Sequence, residues 1–127
     1  MGLPDMRLPI QYALGYPDRY LSNFPRLDFS THTQLTFEKP DTKTFRNLAL
    51  AYEALRRGGN TPCVINAANE VAVAAFLDEK IRFGKMPQVI EFCMEKVSFI
   101  KEPAYDDYVF TDDAARKYAL EVVDRLA

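Results

Sequence analysis

This sequence predicts a mainly α-helical fold, with a four-helix bundle-like domain behind an extended linker that carries a short helix and one short β-strand. Three observations carry that expectation. Apolar residues recur at three- and four-residue spacing in four stretches after residue 40. Asp, Thr and Pro start signals and a Gly-Gly stop punctuate those stretches. Five of the eight prolines fall within the first 40 residues, where helical periodicity is weak. The chain is therefore expected to divide at about residue 40, into 1–39 and 40–127.

Each element has its own signal. Pro9 can open a short helix through Ile10, Tyr12, Ala13 and Leu14, ended by Gly15 and Pro17. Residues 18–33 read as an extended connector with Pro25 and the polar run Ser30-Thr31-His32-Thr33. Gln34-Leu35-Thr36-Phe37-Glu38 alternates polar and apolar residues and predicts a half-buried strand. Such a strand needs a sheet that this chain does not obviously supply. Asp41 suits the cap of a helix with Phe45, Leu48, Ala49, Tyr52 and Leu55 on one face. Arg56 and Arg57 favour its negative C-terminal end, and Gly58-Gly59 stop it.

A second helix is expected from Thr61 to Lys80, capped by Thr61, with Pro62 in a first turn where a missing N–H costs nothing. Val64, Ile65, Ala68, Val71, Ala72, Ala75 and Phe76 form its buried face. Pro87 starts a third helix with Val89, Ile90, Cys93, Val97 and Ile100 facing inward. Thr111 with Asp112 and Asp113 is expected to begin a fourth, because acidic residues favour the positive helix N-terminus. Ala115, Tyr118, Ala119, Val122 and Leu126 line its apolar side.

Bulk properties bound the function. At 127 residues, with 48% hydrophobic and 27% charged residues, the composition is that of an ordinary soluble globular domain. A net charge of −2 gives no reason to expect a nucleic-acid or anionic-membrane partner. No apolar run approaches the roughly 20 residues of a membrane helix. Met1-Gly2-Leu3-Pro4-Asp5 has neither the basic start nor the apolar core of a signal peptide. Cys63 and Cys93 read as small buried hydrophobes in a reducing compartment, with a disulfide between them left open.

No catalytic constellation is complete. There is no phosphate loop, no dinucleotide fingerprint after a strand, and no serine with a local base. The single histidine, His32, lies in the connector, short of the ligands a metal site needs. Tyr105-Asp106-Asp107-Tyr108 followed by Asp112 and Asp113 lacks the glycine of a cation loop and reads as a solvated loop. Lys80, Arg82 and Lys85 around Phe83 are a basic corner too small for nucleic acid. Asn66, Asn69 and Glu70 stand mid-helix against propensity. They are expected to be buried and structural, tying the helix to the leader of residues 18–39, with ligand binding as the alternative. Gly2-Leu3-Pro4-Asp5-Met6-Arg7-Leu8-Pro9 begins so abruptly that it looks cut from something longer. Its apolar Met tip could touch a planar ligand.

Several segments together resemble the C-terminal portion of the 1-deoxy-D-xylulose 5-phosphate reductoisomerase family. They are Gly2–Ala13, Leu35-Thr36-Phe37 with Pro40-Asp41, Asn66–Phe76, Ile81-Arg82-Phe83 and Glu121–Leu126, in order along essentially the whole chain. The resemblance implies an NADP-dependent oxidoreductase and isomerase of the non-mevalonate isoprenoid pathway. Such an enzyme converts 1-deoxy-D-xylulose 5-phosphate to 2-C-methyl-D-erythritol 4-phosphate with NADPH and Mg²⁺ or Mn²⁺. It implies that residues 1 to about 15 end a catalytic domain, 16–39 are a linker and 40–127 a helical domain. Pro4 and Met6 match the family's apolar loop beside substrate and nicotinamide. Asn66, Asn69 and Glu70 match a signature read as structural.

The family's metal carboxylates, phosphate-binding residues and cofactor fingerprint have no counterpart here. No catalytic residue and no metal ligand is therefore expected in this chain, which alone should bind no cofactor and be inactive. Its expected partner is the remainder of the parent enzyme, in a bacterial cytoplasm. The strand-forming segment could also pair or swap with a second copy. A free-standing helical interaction module using the leader, and an unrelated small-ligand bundle, are the competing readings. A natural product extending upstream into a dinucleotide fingerprint would separate them from the first.

Overall fold

The computed structural model describes residues 2–127; Met1, with which the expected 1–39 segment begins, lies outside them. The chain divides between Lys39 and Pro40 into two units. The first contains helix α1, Arg7–Gly15, followed by an irregular path with turns. Pro9 sits in the first turn, two residues after the helix begins. No described residue of this unit is buried. The expected strand at residues 34–38 does not form, and Phe37 is 86% exposed. A lone strand leaves its N–H and C=O groups without a ladder, so alternation alone does not hold it extended.

The second unit contains α2 (Arg46–Arg57), α3 (Thr61–Leu77), a 3₁₀ turn (Phe83–Lys85), α4 (Met86–Lys96) and α5 (Tyr105–Leu126). Helix α3 is central and packs on α5, α4 and α2. Ala67, Ala68, Ala72 and Ala75 of α3 are buried, as are Ala115 and Ala119 of α5. Such small side chains let helix backbones approach closely, while Leu50, Val64, Val89, Ile90, Met86 and Val122 fill the remaining core. None of the helices is long and apolar enough to cross a membrane.

Several expectations are corrected. Asp41 accepts hydrogen bonds from the Lys43 and Thr44 N–H groups, both at 3.0 Å, and so builds a turn rather than capping a helix. Helix α2 starts only at Arg46. Its buried ridge is Leu50 and Ala54, one i,i+4 pair. Phe45, Tyr52 and Leu55 of the expected face are exposed, Leu55 at 78%. Helix α3 stops at Leu77 because Glu79 adopts a left-handed conformation at φ 59° and the Lys80 N–H turns back to the Ala75 carbonyl at 2.9 Å. Asn60, not Thr61, is its N-cap residue. Val97 ends α4 in extended conformation, so Ile100 belongs to the following loop.

Helix α5 begins six residues earlier than expected, at Tyr105 rather than Thr111. The Asp107 carboxylate accepts the Ala104 N–H at 2.9 Å, one half of a capping box that the acidic stretch supplies. Tyr105, Val109 and Phe110 are exposed. That extra helix therefore carries no buried stripe in its sequence.

Candidate functional site

Two surface features and one buried junction concentrate polar groups. In the first unit, the loop before α1 is folded on itself. Asp5 Oδ1 accepts from the Arg7 backbone N–H and from Arg7 Nε, each at 3.0 Å, and Asp5 Oδ2 accepts from Nε at 3.1 Å and Nη2 at 2.6 Å. The Arg7 guanidinium also lies 4.4 Å from the centre of the Phe24 ring. The hydrogen bonds from Arg7 hold the Asp5 carboxyl below its usual range. Pro4 and Met6 are exposed, Met6 at 72%, on the rim of a shallow cavity of about 470 Å³ shared with Leu3, Leu8 and Pro9. A larger cleft of about 790 Å³ in this unit is lined by Gln11, Tyr12, Arg19, Tyr20, Phe24 and Arg26 among others. Arg19 stacks over Tyr12 at 4.6 Å.

The second feature is the Asn66–Glu70 segment of α3. The structure brings Asn66 and Glu70 together but does not bury them, which corrects the expectation of buried amides. Asn66 Nδ2 donates to Glu70 Oε1 at 3.1 Å, and Arg116 Nη2 of α5 donates to Glu70 Oε2 at 2.7 Å. Arg116 Nε also donates to Asp112 at 2.7 Å. Held between two carboxylates, Arg116 is pushed above its ordinary value, chiefly by its hydrogen bonds to Asp112 and Glu70. Glu70 is lowered, first by the hydrogen bond from Arg116 and then by that from Asn66. Its contribution is therefore present above the ordinary glutamate range and is lost as pH falls. Being exposed, this network ties α3 to α5 at the surface and adds little stability. Asn69 takes no part in these hydrogen bonds. With Asn66 it lines a groove of about 430 Å³ among α2, α3 and α4, alongside Asn47, Leu50, Ala54 and Ile90.

The buried junction was not foreseen. Asn60, 1% exposed, donates from Nδ2 to the Ser98 carbonyl at 2.9 Å and to Thr111 Oγ1 at 3.1 Å. Its Oδ1 accepts the Ile100 N–H at 2.9 Å, and its backbone N–H reaches the Ile100 carbonyl at 3.0 Å. One side chain thus joins the start of α3, the α4–α5 loop and the middle of α5. The only sequence signal was an Asn after Gly58-Gly59 and directly before a helix start.

Chemically the described residues hold nothing poised to react. Both cysteines are free. Burial pushes the Cys93 thiol up to about 11, and burial followed by the Asp112 charge raises Cys63. His32 lies in the Asp28 turn, with Nδ1 2.9 Å from Thr31 Oγ1. Among the described residues no three Cys, His, Asp or Glu side chains group to hold a metal ion. Cys93 stays neutral in the fold but ionises in the unfolded chain near 9, so its contribution is full below about 9 and disappears as pH rises toward about 11. Urea midpoints are expected to stay level from neutral pH to about 9 and then decline. Cys93→Ala should flatten that decline, and an unchanged decline would overturn the assignment.

The family model described as the DXP reductoisomerase C-terminal domain matches residues 1–118. The 1-deoxy-D-xylulose 5-phosphate reductoisomerase of Bacteroides thetaiotaomicron is 64% identical over 123 residues, covering 97% of this chain and 32% of that protein. That of Acetivibrio thermocellus is 53% identical over 123 residues, with the same coverage of each chain. Among solved structures, the Zymomonas mobilis reductoisomerase in complex with NADPH superposes with a TM-score of 0.83 at 39% identity, covering 98% of this chain and 33% of that one. A DOX-P reductoisomerase in complex with NADPH, fosmidomycin and magnesium gives a TM-score of 0.82 at 32% identity, with the same coverage. The chain thus spans about a third of the length of the relatives it matches.

Proposed function

Because the chain belongs to the DXP reductoisomerase C-terminal domain family, we propose that it is the C-terminal part of an enzyme that converts 1-deoxy-D-xylulose 5-phosphate to 2-C-methyl-D-erythritol 4-phosphate with NADPH and Mg²⁺ or Mn²⁺. The observation that carries this reading is the family match over residues 1–118. Residues 1 to about 15 end the catalytic domain, 16–39 are the linker, and 40–127 form a bundle-like helical domain that braces the catalytic domain. The protein works in the cytoplasm, where thiols such as Cys63 and Cys93 stay reduced.

Unit 1 supports a role that needs the rest of the enzyme. Leu14, Leu21 and Phe37 are largely exposed and no described residue of the unit is buried, so the unit has no core of its own to hold it. The exposed 34–38 segment also gives the chain by itself a route to self-association, which light scattering at rising concentration would detect.

The described residues do not fit the divalent cation. No three metal-ligating side chains come together among them, and Asp5, the carboxylate of the Pro4–Met6 loop, is fully engaged by Arg7. In this reading the divalent cation and most of NADPH are held by the remainder of the parent. When bound there, they supply hydride and charge stabilisation. This chain's share is positional: Pro4 and Met6 present an apolar rim to substrate and nicotinamide.

A chimera tests the proposal. This chain replaces the matching third of the Bacteroides thetaiotaomicron enzyme, and NADPH consumption is followed with substrate and Mn²⁺. The chimera is expected to turn over within about tenfold of the parent, about 1.4 kcal/mol in barrier, whereas this chain alone shows no turnover. A chimera that unfolds cooperatively yet is inactive would defeat the proposal.

A further inference from the structure

We propose that Asp5, Arg7 and Phe24 form a clamp that positions the Pro4–Met6 tip for the reductoisomerase reaction, making all three positioning residues. The inference rests on the reading that Pro4 and Met6 touch substrate and nicotinamide.

The geometry is more elaborate than a helix start requires. An aspartate before a helix explains one bond, from the Arg7 backbone N–H to Asp5 Oδ1 at 3.0 Å. It does not explain why the Arg7 side chain folds back to occupy both oxygens of the same carboxylate through Nε and Nη2. Nor does it explain why Phe24, seventeen residues further on, lies under that guanidinium at 4.4 Å. The Asp5–Arg7 bridge closes a ring around Met6. The Asp5 and Met6 carbonyls are in turn held by the Leu8 and Ile10 N–H groups, both at 3.2 Å. The backbone of Met6 is thus fixed on both sides while its side chain projects into the open.

Stability does not account for this arrangement. The Arg7 end of the ion pair is solvent-exposed and Asp5 is only partly covered, a setting where such pairs contribute little, and no described residue of this unit is buried. What a doubly bonded, stacked guanidinium does provide is a rigid, planar anchor that a lysine cannot reproduce. Rigidity at an exposed apolar tip matters when the tip must meet a reacting ligand, because a misplacement of about 1 Å can slow a reaction about a hundredfold.

The test uses the chimera described above and reads kcat, KM and Tm. Arg7→Ala and Phe24→Leu are each expected to lower kcat roughly tenfold to a hundredfold. KM should change little, and Tm should stay within about 2 °C. Phe24→Tyr keeps the aromatic face and restores the rate, whereas Arg7→Lys does not. Met6→Ala with Arg7→Ala should be no slower than Met6→Ala alone, since the clamp acts through that tip. A Met6→Ala variant with unaltered kcat would defeat the reading of the tip itself. If Met6→Ala is slow but Arg7→Ala and Phe24→Leu run at full rate, the tip reading stands and the clamp is overturned. Additive losses, or losses accompanied by a Tm drop of many degrees in both variants, would also overturn it.

Discussion

Asn60→Ala is expected to lower the stability of the helical unit by about 3 kcal/mol and its Tm by roughly 12 °C or more. The size follows from what is stranded. Asn60 serves three partners, the Ser98 carbonyl, Thr111 Oγ1 and the Ile100 N–H. Thr111 is itself buried, so water cannot easily replace the lost donor. Asn60→Asp is the sharper variant. It keeps an acceptor for the Ile100 N–H but buries a carboxylate against the Ser98 carbonyl, so it should be at least as damaging as alanine. Thr111→Val removes a single partner and is expected to cost about 1 kcal/mol. Thermal and urea unfolding monitored by circular dichroism measure all three. An Asn60→Ala loss below about 1 kcal/mol would mean the junction does not organise the fold.

Gly59→Ala is expected to cost about as much through a different route, roughly 3 kcal/mol. Gly59 has φ +56°, where an L side chain is strained. A Cβ there would collide with the Ile100 carbonyl oxygen and meet Phe99 Cε2 at 2.8 Å. That carbonyl accepts the Asn60 N–H, so relieving the clash moves the junction itself. The two substitutions damage one loop and should be less than additive when combined. Full additivity in the double variant would show that the glycine and the asparagine act separately. A cost below about 1 kcal/mol for Gly59→Ala would show that the loop can yield.

Much of the fold was legible because the helices of the second unit announce themselves locally. Pro62 and Pro87 open α3 and α4, and the buried alanines and valines of α3 and α5 keep helical spacing. The start of α5 was missed because Tyr105, Val109 and Phe110 are exposed, so the helix there rests on Asp107 bonding the Ala104 N–H. Alternation at residues 34–38 predicts a strand, a pattern that becomes one only when another strand accepts its hydrogen bonds. Of the candidate site, Pro4, Met6, Asn66, Asn69 and Glu70 could be named from sequence. Arg116, the partner of Glu70, and Phe24, the partner of Arg7, could not, since each is brought close by the fold across many residues.

The sequence by itself determined the helical class, the division near residue 40 and the family resemblance, because periodicity, caps and motifs are properties of neighbouring residues. Only the tertiary structure decided which ridge of α2 is buried, that Asn60 joins three segments, and that Glu70 faces Arg116 rather than a buried loop. The physical reason is range. A hydrogen bond between residues 60 and 111, or an ion pair between 70 and 116, is chosen by how whole helices pack, and no local propensity encodes that choice.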